Sequence, residues 1–182
     1  MKQALTTTLG VLLLAPLTSP AQAPSVRTGQ GLPKPEEVVA LRAEPARLTL
    51  RPGSTAALKL KVEILPGFHI NSNQPLEEYL IATEVFLPAG AEFELAGATY
   101  PKAELKSFSF AAGEKLAVYE GMVEVAVRLR ARPAIQPGTH ALALGLRYQA
   151  CNDEICLRPA ERQLTLSVRV PQKPSPAPRR GS

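Results

Sequence analysis

Between residues 47 and 170 apolar and polar side chains alternate with a period of two, the spacing of a strand with one buried face. Leu58, Leu60, Val62 and Ile64 interleave with Lys59, Lys61 and Glu63. Val123, Val125, Val127 and Leu129 interleave with Glu124, Ala126, Arg128 and Arg130. Leu142, Leu144, Leu146 and Tyr148 face one way, with Ala141, Ala143, Gly145 and Arg147 opposite. Leu164, Leu166, Val168 and Val170 repeat the pattern, and Leu48 and Leu50 give a shorter instance. One dry and one wet face per run is the mark of antiparallel sheets over a shared core. Turn-forming clusters punctuate the runs at Arg51-Pro52-Gly53-Ser54, Pro66-Gly67, Pro88-Ala89-Gly90 and Gln136-Pro137-Gly138. No window sustains a 3.6-residue period. Many short strands at this spacing predict an all-β fold, an immunoglobulin-like antiparallel β-sandwich.

The ends of the chain read differently. Residues 1–23 have the form of an export signal: Lys2, an apolar stretch from Leu9 to Leu17, then Ala21-Gln22-Ala23. Pro24 is a poor residue just after a cut, so cleavage after Ala21 competes with cleavage after Ala23. The apolar stretch falls short of the about 20 residues that cross a bilayer, and no later window approaches that length. No cysteine lies near the cut to carry a lipid. The mature chain is therefore expected to be exported, without a membrane span after signal removal. Residues 24–35 form a Pro- and Gly-containing flexible lead-in, and the Pro- and Arg-rich residues 171–182 a disordered tail. Residues 36–170 remain as one domain of ordinary size.

The net charge of +5 is misleading. Six of the 21 basic residues (Lys2, Arg27, Lys34, Lys173, Arg179 and Arg180) lie outside 36–170, whereas all 16 acidic residues lie inside it. The folded span is thus close to neutral, which excludes a nucleic-acid-binding face built on a basic patch.

Candidate chemistry concentrates at the chain's two cysteines, Cys151 and Cys156, in Tyr148-Gln149-Ala150-Cys151-Asn152-Asp153-Glu154-Ile155-Cys156-Leu157-Arg158-Pro159. So local a disulfide, closing a loop of about six residues, stabilises by only roughly 2 kcal/mol, against nearly 5 for a loop of about 100. A sandwich this rich in alternating Leu and Val has little need of it. The polar turn between the cysteines argues for accessibility, and accessible short-loop disulfides exchange with thiols. On composition and spacing alone, a staple and a redox centre stand level. No motif calls for a cofactor. Zinc is disfavoured, because two cysteines with the distant His69 and His140 lack ligand spacing.

A resemblance tips the balance. Arg147-Tyr148-Gln149-Ala150-Cys151 through Cys156-Leu157-Arg158-Pro159 resembles the cysteine motif of the N-terminal periplasmic domain of DsbD, a thiol:disulfide interchange protein. Pro66-Gly67-Phe68-His69-Ile70-Asn71-Ser72-Asn73 and Val118-Tyr119-Glu120-Gly121 are similar to further segments of that family. The resemblance implies an immunoglobulin-like sandwich with a redox-active Cys151–Cys156 pair. It implies a periplasmic or secreted component of a protein-disulfide reductase system. A thioredoxin-like or membrane electron-transfer protein would be the donor, and oxidised periplasmic proteins the acceptors. DsbD continues into a membrane domain and a thioredoxin-like domain, whereas this sequence stops at Ser182 and has no Cys-x-x-Cys. The donor is accordingly expected to be another polypeptide. A non-catalytic immunoglobulin-like binding module with a structural disulfide is the alternative reading.

The surroundings of the pair bear on its chemistry. Asp153 and Glu154 disfavour a thiolate, with Arg158 as a partial offset, so neither sulfur is expected to be an aggressive nucleophile. This suits a disulfide attacked by a partner's thiolate. The resemblance implies that Cys156 enters the mixed disulfide and Cys151 resolves it. Pro159 should end local pairing and keep Cys156 open. Four further residues are candidates for shaping the site. Phe108 and Phe110, beside small residues and Gly113, fit the place of the family's cap loop over the cysteines, or else pack in the core. Tyr148 divides equally between core and site. His69 reads as a partly exposed strand residue rather than a proton shuttle.

Overall fold

The computed structural model describes residues 31–111 and 113–172. The expected signal at 1–23, most of the lead-in and most of the tail lie outside the described residues. A single 3₁₀ turn, Pro35–Glu37, leads into the strands. These are β1 (Val39–Glu44), β2 (Arg47–Thr49), β3 (Thr55–Ile64), β4 (His69–Asn71), β5 (Glu84–Phe86) and β6 (Phe93–Thr99). There follow β7 (Glu104–Ser107), β8 (Lys115–Glu120), β9 (Met122–Ala131), β10 (Gly138–Tyr148), β11 (Ala150–Cys151) and β12 (Ala160–Val170), with a second 3₁₀ turn, Ser109–Ala111, between β7 and β8.

The strands form an immunoglobulin-like β-sandwich. One sheet runs β1-β3-β9-β6 and the facing sheet β2-β12-β10-β5. The alternation explains why they pack. Leu58, Leu60, Val62 and Ile64 of β3 and Val123, Val125, Val127 and Leu129 of β9 are buried in one core cluster with Leu142, Leu144, Leu146 and Tyr148 of β10. Leu166, Val168 and Val170 of β12 complete it, while the intervening charged residues stay in water. Each fully buried Leu or Val contributes roughly 1.5–3 kcal/mol relative to exposure. Register holds the faces in step: Leu60 lies opposite Val125 and Leu142 opposite Leu166. A one-residue slip would turn every one of these side chains to water.

Among the described residues the pairings are antiparallel with one exception. β2 meets β12 in parallel, Leu48 beside Val168, and Leu50 N–H donates to Arg169 O at 3.0 Å. Only Pro45 and Ala46 separate β1 from β2, which lie on different sheets. The chain crosses the sandwich there, so β2 reaches β12 without a hairpin, and alternation alone could not reveal that.

A third sheet, β11-β4-β8-β7, carries the cysteines. Its edge strand β11 follows β10 after Gln149, so one of the two longest core strands leads straight into the cysteine turn. Gly67, at φ 83°, makes the turn that delivers β4, where Phe68 N–H donates to Leu65 O at 3.0 Å. A side chain would be strained at that φ. Under this sheet lies a smaller cluster of Leu80, Ala111, Leu116 and Val118, with Phe108 packed on it.

Candidate functional site

The site is a hairpin closed by a disulfide. Cys151 and Cys156 are bonded, with their Cα atoms 4.0 Å apart. Asn152 organises the turn. Its Oδ1 accepts from the N–H groups of Glu154 (2.9 Å) and Ile155 (2.8 Å), and its own N–H donates to Ile155 O at 2.9 Å. Asn is suited to this because its short side chain can reach backbone two or three residues on. Beyond the disulfide, Leu157 N–H donates to Ala150 O at 2.8 Å. The two cysteines are not equally exposed. Cys151 is fully buried on β11, whereas Cys156 is exposed, followed by the exposed Arg158 and Pro159 before β12 begins.

A polar clamp holds the base of the hairpin. Gln149 Nε2 donates to Leu157 O at 3.3 Å, and its Oε1 accepts from Asn71 Nδ2 at 3.4 Å. Asn71 Nδ2 also donates to Ile81 O at 3.0 Å. Both residues escaped the sequence reading as site residues. Gln149 lies inside the cysteine motif and Asn71 inside the second similar segment, so the signal was there, but their partners are distant in the chain.

His69 is brought to the pair by register: it lies directly opposite Cys151 across β4 and β11. Such partners project from the same face with Cβ atoms about 4.5–5.5 Å apart. The expectation of partial exposure is overturned. Only 2% of His69 is exposed, because β4 lies between β11 and β8 and an aromatic ring covers the imidazole. That ring is Phe108, stacked at 4.0 Å between centroids and 20° between planes. Phe110 stacks on Phe108 at 5.5 Å and is 37% exposed. His69 Nε2 is buried without a hydrogen-bond partner among the described residues. Burial holds its pKa below the usual 6.5, while Glu120 and Asp153 pull the other way and Lys106 adds to the lowering.

The aromatic segment is also tied to the cysteine turn, since Ser109 Oγ donates to Asp153 O at 2.5 Å. Phe108 therefore has two surroundings, the small cluster beneath and the imidazole beside the cysteines. A cleft of about 370 Å³ lies beside the imidazole, lined by Phe68, His69, Lys106, Phe108, Glu120 and Asp153 among others. Lys106 is ion-paired with Glu120 across it.

Tyr148 stays apart from this cluster. It is fully buried in the main core, and its hydroxyl donates to Pro35 O at 2.8 Å. Burial pushes its pKa up to about 12, so it stays protonated at any working pH. Its contribution is to anchor the entry of the domain at the last turn of β10.

With this geometry in hand, comparison with known proteins is decisive on family. The sequence model described as thiol:disulfide interchange protein DsbD, N-terminal, matches residues 37–168. The chain belongs to the DsbD N-terminal domain family. Among curated proteins no match to the sequence is found. Solved structures with similar folds include the N-terminal periplasmic domain of ScsB from Proteus mirabilis, 16% identical, with a TM-score of 0.49. That match covers 74% of this chain and 49% of the other, so this chain spans about half the length of that relative. The complex between the DsbD N-terminal and PilB N-terminal domains from Neisseria meningitidis is another, 17% identical with a TM-score of 0.44, covering 75% of this chain and 88% of that one. This DsbD N-terminal-family domain carries one bonded cysteine pair among its described residues, Cys151–Cys156. Among the described residues no helix is long and apolar enough to cross a membrane.

Proposed function

We propose that this chain is an exported, periplasmic or secreted thiol–disulfide interchange domain. It takes electrons from a thioredoxin-like or membrane electron-transfer donor and passes them to oxidised exported proteins. The observation that carries the assignment of roles is the unequal exposure of the two cysteines: Cys156 is an exposed residue and Cys151 is fully buried. The donor's thiolate attacks Cys156 Sγ, the Cys151–Cys156 bond breaks, and the electron pair leaves on Cys151 Sγ, which takes up a proton. The donor's second thiol then attacks the mixed disulfide and releases Cys156, so the donor is oxidised by two electrons and the pair reduced. With an oxidised acceptor the same steps run in reverse, and Cys151 resolves the mixed disulfide by attack on Cys156.

The aromatic segment at Phe108 and Phe110 serves in this reading as a cap beside the pair. A trapping experiment tests the assignment. Cys151→Ala should accumulate a mixed disulfide through Cys156 with a thioredoxin-like protein lacking its resolving cysteine, and Cys156→Ala should accumulate little. Equal trapping by the two variants would overturn the roles of the sulfurs. No trapping by either would favour a structural disulfide in a binding module.

A further inference from the structure

The interchange reading leaves one proton without an owner. Cys151 is fully buried, and a buried thiolate is disfavoured by desolvation. Yet Cys151 must attack as a thiolate whenever the reduced pair resolves a mixed disulfide. Across the sheet, directly opposite Cys151, stands a buried imidazole whose Nε2 bonds to nothing among the described residues. Buried polar atoms of this kind are rare and call for an explanation. In the oxidised chain Cys151 has no S–H to offer. Reduction creates that donor on the residue paired with His69 across the sheet.

We propose that His69 Nε2 is the proton acceptor for Cys151, holding the thiol's hydrogen in the reduced state and taking the proton as Cys151 attacks. The inference rests on the interchange reading above. With Cys156 joined to an acceptor protein, Cys151 S–H passes its proton to His69 as its sulfur bonds to Cys156 Sγ. The bond from Cys156 to the acceptor breaks and the acceptor's sulfur leaves with the electron pair. It then collects the proton from the imidazolium directly or through water. One disulfide forms and one breaks, and with the preceding exchange step two electrons in all have passed to the acceptor.

The surroundings fit this role. Phe108 stacks on the imidazole and fixes its plane. The charged groups facing it are Glu120, its register partner on β8; Lys106 of β7, paired with Glu120; and Asp153 of the cysteine turn. The lowered pKa of the imidazole keeps it neutral, and so able to accept, at neutral pH.

The test follows the resolving step alone. Reduced full-length chain is mixed with Ellman's reagent, whose aromatic thiol first caps Cys156 and is then expelled when Cys151 attacks. Release of the second thiol is timed from pH 5 to 9 in wild type and in His69→Phe, which keeps an aromatic ring against Phe108. The wild-type rate should be flat at neutral pH and above and fall on acidification with a midpoint below the ordinary imidazole value, following a buried imidazole. His69→Phe should be about 100-fold slower at pH 7, the scale of general base catalysis, and should climb with pH without that plateau. Equal rates and profiles would overturn the role of His69 and leave the interchange reading standing. A wild type that never releases the second thiol would overturn both. A measurement on unmutated protein guards against a folding artefact: the ¹⁵N shift of His69 Nε2 should change on reduction, and an unchanged shift counts against the proposal.

Discussion

His69 shows how much one buried side chain can couple to its solvent. An imidazole enclosed between two strands and a phenyl ring takes a proton at a cost, so its folded pKa lies below the unfolded value of 6.5. The sign follows directly. Below about pH 6.5 the unfolded chain binds a proton that the folded chain refuses, so stability is full above that pH and falls as pH drops through it. His140 works in the opposite sense. Its Nε2 faces Gln136 O at 2.8 Å and its Nδ1 faces Glu92 at 2.7 Å, which raises its pKa. Its contribution is full below 6.5 and is lost as pH rises through its folded value. Urea midpoints of wild type and His69→Phe between pH 5 and 8 share the His140 contribution. Wild type should lose stability more steeply on acidification, and parallel curves would contradict the burial of a neutral imidazole. His69 was misjudged from sequence for a physical reason: in Phe68-His69-Ile70-Asn71 every residue of β4 is buried, so no alternation marks the inner face. Tyr148 was undecidable for another, because its partner, Pro35, lies 113 residues away.

At the level of elements, legibility follows the number of buried faces. β3, β9, β10 and β12 each bury one face, and their period-two pattern gave their positions, turns and inward residues almost without error. The third sheet was hidden, because β4 and β11 are buried throughout and β7 is four residues long. The aromatic 3₁₀ segment falls between: the phenylalanines were visible, their stacking on His69 was not. That stacking yields a prediction about access. Phe108→Ala should speed alkylation of the reduced thiols by a bulky maleimide and lower stability, because Phe108 also packs on Leu80, Leu116 and Val118. Phe110→Ala, at a ring 37% exposed, should cost well under the roughly 3–5 kcal/mol of a core phenylalanine. Unchanged alkylation in both variants, with a core-sized stability loss, would make the segment packing alone.

For the whole molecule, the sandwich and the disulfide are separable. The core cluster draws on the two facing sheets and on Ile70, Tyr119 and Ala150 of the third, and includes neither cysteine. The disulfide closes a loop of sequence separation 5. In the chain-entropy account so short a closure contributes roughly 2 kcal/mol. Cys151→Ala/Cys156→Ala should therefore fold, with an unchanged far-ultraviolet circular dichroism spectrum and a stability loss of about that size. Failure to fold would make the pair a staple after all. The pair follows β10, one of the two longest core strands, with Cys151 buried and Cys156 exposed. In the proposed function, a partner's thiolate reaches this disulfide without the domain unfolding.

The most direct test of that claim is the reduction potential of the Cys151–Cys156 pair, measured by equilibration with glutathione and with dithiothreitol under anaerobic conditions. An exchange centre predicts a potential above about −300 mV, with the pair reducible by a thioredoxin-like donor. A potential below about −300 mV, in a pair that resists both glutathione and the donor, would contradict the interchange account.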